Sequence, residues 1–240
     1  MSDNRLLPAA VAGGLVAAGL AIGGGLIGGG IVDARTGDRT VTVRGLAERD
    51  AKADLAVMPL RFTQSGDELS QVQAAIDADI GKVRGFLAAQ GFKPEEIDLG
   101  RLEVVDNNAR EYGPQNVRAR YILAQTVSVR STDVDRVQGT TRALSDLVRQ
   151  GVVLQDFRGA SYVFTKLNDV RPAMIKEATA SARSGAEQFA RDSGASLGGI
   201  SRATQGSFEI QARDQVGDQG PDASIMKRLR VVTTVSYALK

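Results

Sequence analysis

The sequence SGDELSQVQAAIDADIGKVRGFLAAQG, residues 65–91, carries the clearest structural signal in this chain. Its first four residues match a capping box, in which a serine and a glutamate three positions later cap the first turn of a helix. Apolar residues then recur at intervals of three and four, which places them on one helix face. Gly91 ends the pattern, as glycine commonly ends helices. The predicted helix has an apolar stripe of Leu69, Val72, Ile76, Ile80, Val83 and Leu87.

Strand-like segments flank this helix on both sides. Residues 54–64 precede it with alternating apolar positions, the period of a half-buried strand. Pro59 within them predicts an edge position or a bulge, because proline has no backbone N–H for the ladder. After the helix, residues 97–108 and 117–130 form two further predicted strands, joined by a turn at 111–114.

The order strand–helix–strand–strand then recurs later in the chain. The pattern predicts a duplicated α+β unit, in which helices cover antiparallel sheets. A further strand at 39–45 precedes the first unit, and a helix at 132–149 connects the two. The second unit comprises a strand at 152–165, a helix at 168–194 and strands at 200–212 and 225–239.

The helix of the second unit has a stripe of small residues. Alanine recurs every four positions at Ala178, Ala182, Ala186 and Ala190. Such a face allows close approach to a sheet or to another helix. We expect core packing and not a partner groove, because most amphipathic faces meet their own core.

Outside this body, residues 6–32 read LLPAAVAGGLVAAGLAIGGGLIGGGIV and contain no charge. About 20 apolar residues span a bilayer as a helix, so this run predicts one transmembrane anchor. The chain then divides into a tail at 1–5, the anchor at 6–32, a linker at 33–39 and a folded body at 40–240. Arg5 before the run favours a cytoplasmic tail and an exported body.

A cleaved signal peptide is the alternative for the same segment. Its apolar region would run about 7–15 residues and end in a small-x-small site, which Val32-Asp33-Ala34 loosely resembles. The length of the run favours an uncleaved anchor.

Glycine spacing within the anchor predicts helix–helix packing. Residues separated by four positions form small-xxx-small pairs, which let membrane helices approach closely. Residues 23–28 also match G-x-G-x-x-G, but the nucleotide-binding motif requires a preceding strand. We therefore expect no cofactor here. The glycines that form the pairs are Gly19, Gly23, Gly24, Gly25, Gly28 and Gly29.

The amino-acid composition argues against several classes of protein function. The chain has 30 basic and 28 acidic residues and a net charge of +2, without the clustered excess of positive charge typical of nucleic-acid binding. Histidine and cysteine are absent, which removes imidazole and thiol catalysis and the usual zinc sites. Asp214, Asp218 and Asp222 lack the spacing of a calcium loop. We expect neither a metal site nor an enzyme.

Four arginines occupy corresponding strands of the two units: Arg118, Arg120, Arg228 and Arg230. A basic strip on an outward sheet face would suit an anionic envelope ligand or an acidic loop of a neighbouring subunit. The alternative is a charged sheet face that resists aggregation.

The body resembles one known family. Its segments TVTVRGLAERDAKADLAVMPLRF, YVFTKLNDVRPAMIKEAT, QFARDSGASLGGI and RVVTTVSYALK are similar in order and spacing to SIMPL-domain proteins. That family includes bacterial periplasmic immunogenic and oxidative-stress-defence proteins. The resemblance implies an exported α+β domain and ring-like or channel-like oligomers, and it transfers no active site.

Together these features predict a protein of the bacterial inner membrane with its body on the periplasmic side. We expect a homo-oligomer with a scaffolding role and no enzymatic activity. The alternative is a binding module that recognises an anionic envelope component through the four arginines.

Overall fold

The computed structural model describes Gly14 and residues 17–25, 39–109, 119–214 and 220–240. Within these ranges eight strands and four helices form an α+β fold, with a further helical stretch at 17–25. The strands are β1 (Thr40–Lys52), β2 (Leu55–Gly66), β3 (Ile97–Leu99), β4 (Glu103–Asp106), β5 (Tyr121–Ser131), β6 (Ser161–Val163), β7 (Leu197–Ala212) and β8 (Met226–Leu239). The helices are α1 (Leu69–Ala89), α2 (Val134–Ala143), α3 (Ser145–Arg149) and α4 (Leu167–Asp192).

Only part of the predicted anchor falls within these ranges. Residues 17–25 are helical, and no helix among the described residues is long and apolar enough to cross a membrane. Gly28, Gly29 and the predicted tail lie outside the described residues.

The fold comprises two compact units. The larger consists of residues 47–175 and 207–231, and the smaller of the described residues up to Leu46 with 176–206 and 232–240. The chain therefore passes between the units several times. The long elements β1, α4, β7 and β8 each contribute residues to both.

The larger unit contains a five-stranded sheet. Its strands follow the order β3–β5–β2–β6, and β4 pairs with β5 beyond the end of β3. All these pairings are antiparallel, and the longest runs from Ala56 opposite Ser131 to Gly66 opposite Tyr121. Phe62 and Leu60 of β2 and Ile76 and Leu87 of α1 are fully buried and join one hydrophobic core. The predicted stripe of α1 is thus confirmed as a packing face, although Leu69 at its start is exposed.

The smaller unit is built around the alanine stripe of α4. Ala178, Ala182 and Ala186 are fully buried and Ala190 nearly so. A Cβ added to Gly45 of β1 would lie 1.9 Å from the carbonyl oxygen of Ala178. Strand and helix therefore meet backbone to backbone, and the prediction of core packing for this stripe is confirmed.

A second sheet has the order β1–β8–β7. Gly198 of β7 lies against Ala238 of β8, and Gly206 lies against Val232. Residue numbers thus increase along β7 in the direction in which they decrease along β8. These two strands are therefore antiparallel. The last strand of the chain is therefore central in this sheet, and β1 and β7 are its edges.

The predicted duplication is present only in part. The α+β class and the antiparallel sheets are confirmed, but the strand expected at 152–165 is reduced to three residues of β6. Asp156 and Gly159 have φ of 51° and 98°, outside the range of strands, so the backbone is irregular before β6. β6 belongs to the predicted second repeat but pairs with β2 of the first repeat. The neighbour of β8 in its sheet is β1, which precedes both repeats.

The predicted capping box is wrong. β2 continues to Gly66 and pairs Ser65 with Ile122, so Ser65 is not available to cap α1. Glu68 takes the N-cap position without a side-chain capping bond. Pro59 lies in the central strand β2 and not at a sheet edge, but on its β6 side the pairing is interrupted between Val57 and Phe62, and its register shifts there, as the alternative of a bulge predicts.

Candidate functional site

Two of the four predicted site arginines lie on β8. Arg228 and Arg230 alternate with the buried residues Leu229 and Val231, so they occupy the opposite face of the strand. β8 lies beside β1, and that neighbour supplies the acidic partners. The Nε of Arg228 donates to Oδ1 of Asp50 at 3.2 Å.

Arg230 is paired less tightly. Its Nε lies 3.6 Å from Oε1 of Glu48, beyond hydrogen-bonding distance. The same Nε is buried and has no hydrogen-bond partner among the described residues. The two arginines of β8 therefore differ: one makes a hydrogen-bonded ion pair and the other retains an unsatisfied donor.

The charged face continues towards β7. The guanidinium of Arg213 donates to Asp214, and its backbone N–H donates to the carbonyl of Met226 at 2.9 Å. The hydrogen bond from Arg213 lowers the pKa of Asp214 and raises that of Arg213 itself. Asp214, one of the residues weighed for calcium, is thus already engaged by a cation. Asp218 lies outside the described residues, and no group of three or more acidic side chains suited to a metal occurs within them.

Arg120 lies in a different part of the larger unit. It immediately precedes β5, and its guanidinium donates to both carboxylate oxygens of Asp106 at 3.3 and 3.4 Å. It also lies 4.8 Å from the ring centroid of Tyr121. The hydrogen bond from Arg120 lowers the pKa of Asp106, and the pair raises the pKa of Arg120. Arg118 lies outside the described residues.

The structure thus places Arg228 and Arg230 together in the β1–β8–β7 sheet and Arg120 beside the five-stranded sheet. Each of the three faces a carboxylate of its own chain. An incoming anion would have to compete with these carboxylates, most readily at Arg230, where the internal pair is longest.

The buried charge of Lys227 was not predicted from the sequence. Lys227 of β8 is only 1% exposed, and its Nζ donates to the carbonyl oxygen of Pro221 at 2.6 Å. Burial lowers the pKa of this lysine, and nearby Asp222 opposes the effect. The signal was present in the alternation of β8, because Lys227 falls on the same face as Leu229 and Val231.

The outer strand β7 provides a second type of surface. The sheet order places β7 at an edge, and every residue from 201 to 207 is exposed. Arg202 is the single charged residue in this stretch, which reads SRATQGS. An edge strand presents unpaired N–H and C=O groups, and long neutral edges are templates for pairing with another strand.

Comparison with known proteins gives one relationship. No curated protein matches the chain significantly. The profile of the SIMPL family, described as a protein of unknown function (DUF541), matches residues 41–237. The match includes residues of both compact units and of all eight strands. The chain therefore belongs to the SIMPL (DUF541) family.

Proposed function

We propose that this SIMPL-family protein is a membrane-anchored, non-enzymatic protein of the bacterial envelope whose body self-assembles into a scaffold. The resemblance to periplasmic stress-defence proteins supports a role in envelope stress. The charge-free run at 6–32 supports the anchor. The single observation that carries self-assembly is the exposed edge of β7.

The edge of β7 lacks the devices that usually prevent strand pairing. Residues 201–207 contain neither proline nor lysine, and their side chains are short or neutral apart from Arg202. Natural proteins block free edges with charges, prolines, bulges or covering elements. A second copy that pairs along β7 would satisfy the free backbone groups. Such pairing between identical chains gives closed rings when the rotation between copies closes.

Light scattering of the full-length protein in detergent tests this proposal. We expect the wild-type protein to be a homo-oligomer and the double variant Thr204→Lys, Gln205→Lys to dissociate at a higher protein concentration than the wild type, because lysines on an edge repel the next copy. The double variant Ser181→Lys, Ser184→Lys, at exposed positions of α4, controls for the two added positive charges. A wild-type monomer would contradict self-assembly, and a dissociation curve of the β7 variant equal to that of the wild type would exclude β7 as an interface.

A second candidate function is supported by Arg230, whose side chain is 43% exposed and whose ion pair with Glu48 is long, at 3.6 Å. In this alternative the body binds an anionic envelope component through the arginines of β8. Binding to vesicles that contain phosphatidylglycerol would then be saturable and weakened by salt. We expect Arg230→Ala to weaken it more than Arg130→Ala, an exposed arginine on β5. Equal affinity of both variants would exclude the site.

A further inference from the structure

A cleft of about 360 Å³ opens where α1 ends. Its lining consists of Arg84, Ala88, Phe92, Pro94 and Ile97. Phe92 is buried and Ile97 half-buried, so these two form the floor, while the other three are exposed and form the rim. Four of the five side chains are apolar. Ligand sites in proteins range from about 300 to 1,000 Å³, so this cleft is suited to a small ligand.

The floor of the cleft is held in place before any ligand binds. Gly91 ends α1 with φ of 84°, and the N–H of Phe92 donates to the carbonyl of Leu87 at 3.1 Å. Nη1 of Arg136 donates to the carbonyl of Gly91 at 2.9 Å. The same guanidinium lies 5.7 Å from the ring centroid of Phe92. Arg136 therefore holds both the backbone of this turn, at Gly91, and the side chain of Phe92.

The wall beyond the floor is fixed by Glu96. Its carboxylate accepts hydrogen bonds from the N–H of Lys93 at 3.0 Å and from the hydroxyl of Ser131. The bond from the Lys93 N–H, followed by the one from Ser131, lowers the pKa of Glu96, so this carboxylate stays ionised at neutral pH. These bonds tie the segment carrying Pro94 and Ile97 to β5.

The two arginines at the cleft differ in their acidic partners among the described residues. Arg136 is paired with Asp133 at 2.9 Å and faces Glu96 at 3.8 Å. Arg84, in contrast, makes no hydrogen bond or ion pair with the described residues. The cleft thus combines an apolar floor with one cation at its mouth that no described residue compensates.

We propose that this cleft binds the monomeric anion of a fatty acid, with the alkyl chain on Phe92 and Ile97 and the carboxylate at Arg84. One guanidinium matches one carboxylate in charge and geometry. A peptide fits less well, because Arg84 is the only lining side chain that can donate a hydrogen bond and Pro94 has no backbone N–H. Buried peptide amides would lose hydrogen bonds to water without replacement. The volume suits a single alkyl chain.

Photoaffinity labelling of the full-length protein in nanodiscs of neutral lipid tests the proposal. The probe is a decanoate analogue that carries a diazirine on its chain, and mass spectrometry locates the adduct. We expect saturable labelling within residues 84–97 that decanoate suppresses at about five-fold lower concentration than decanol, because decanol lacks the carboxylate that pairs with Arg84. Labelling of residues 6–32 by probe dissolved in the lipid serves as the internal reference.

Two variants and a control define the site. Arg84→Ala removes an exposed ion pair with the ligand and should weaken labelling about five-fold. Ala88→Met narrows the cleft while retaining high helix propensity, so labelling should decrease without loss of the fold. Arg130→Ala makes the same change in charge outside the cleft and should have no effect. Circular dichroism melting verifies that each variant is folded.

Several results of these labelling experiments would overturn the proposal that the cleft binds a fatty acid. Labelling outside 84–97, labelling that does not saturate, or equal competition by decanol would overturn the proposal. So would an Arg84→Ala variant that labels like the wild type. If a short peptide with a free apolar C-terminus competes and decanoate does not, the occupant is a peptide and the fatty-acid assignment is wrong.

Discussion

At the scale of single residues, the larger unit stabilises its buried charges to different degrees. Asp79 of α1 is 1% exposed, and it accepts hydrogen bonds from Gln64 at 2.6 Å and from Lys82 at 2.9 Å. Lys227 is as deeply buried, but its bond partner is one backbone carbonyl, that of Pro221. A buried cation without a directly paired anion is destabilising relative to its neutral form. The stability contributed by Lys227 should therefore depend on pH.

We predict that Lys227 makes stability increase with pH on the alkaline side. Burial lowers its pKa in the folded state below the ordinary value of 10.5, which unfolding restores. Between these two values the unfolded chain binds more protons, so the free energy of unfolding rises with pH. The wild-type protein should gain stability relative to Lys227→Met as the pH is raised from neutral towards 10.5.

Urea denaturation of both proteins over a series of pH values measures this effect. Lys176→Met, at an exposed position of α4, is the matched control. A difference between wild type and Lys227→Met that is constant over the whole range would contradict the prediction.

At the scale of elements, close approach between β1 and α4 is the tightest constraint in the smaller unit. A Cβ on Gly45 would lie 1.9 Å from the carbonyl oxygen of Ala178 and 2.5 Å from the nitrogen of Ala182. Both atoms belong to a helix backbone, which does not move aside as a flexible side chain would. The alanine stripe and this glycine thus act as one packing feature.

We predict opposite effects for two glycine-to-alanine replacements. Gly45→Ala should destabilise the protein by at least about 1–3 kcal/mol, the usual cost of overpacking. Gly85→Ala on α1 should stabilise it by up to about 1 kcal/mol, because a Cβ there meets nothing within 4 Å and alanine favours the helix. Thermal unfolding of the two variants beside the wild type measures both effects. A neutral Gly45→Ala variant would show that β1 can move away from α4.

The elements show how much the sequence could predict. The apolar stripe of α1 and the alanine stripe of α4 repeat over several turns, and both predictions are confirmed by burial. The capping box at 65–68 failed because pairing of Ser65 with Ile122 depends on β5, distant in sequence. The cleft at Arg84 was missed for the same reason: Phe92 and Arg136 meet only after α1 and α2 have folded.

At the scale of the whole molecule, strand connectivity departs most from what the sequence suggested. A repeated order of elements predicts two equivalent units, but β1 takes the place beside β8 and β6 joins the other sheet. Local periodicity contains no information about which strand pairs with which when two candidates are available. The arginines of β8 show the same limit, because their carboxylate partners lie on β1, far away in the sequence.

We predict an exported body on a retained anchor. Residues 6–32 lack charge and Arg5 precedes them, which favours a cytoplasmic N-terminus. A reporter fused after Lys240 should therefore be active only in the exported compartment, and the mature protein should keep its original N-terminus. Reporter activity in the cytoplasm, or a mature N-terminus near Arg35, would contradict the anchored topology.

We also predict that the anchor contributes to assembly independently of β7. Among the described residues, nothing lies within 4 Å of a Cβ built on Gly19 or Gly23. Between two membrane helices, however, small residues four positions apart permit the close contact that leucine prevents. Gly19→Leu combined with Gly23→Leu should therefore weaken the oligomer in detergent, measured by light scattering at decreasing protein concentration. Ala18→Leu with Ile22→Leu, on the neighbouring positions, is the matched control. An unchanged dissociation curve for the glycine variant would assign assembly to the body alone, and a change equal to that of the control would show that the glycine spacing has no specific role.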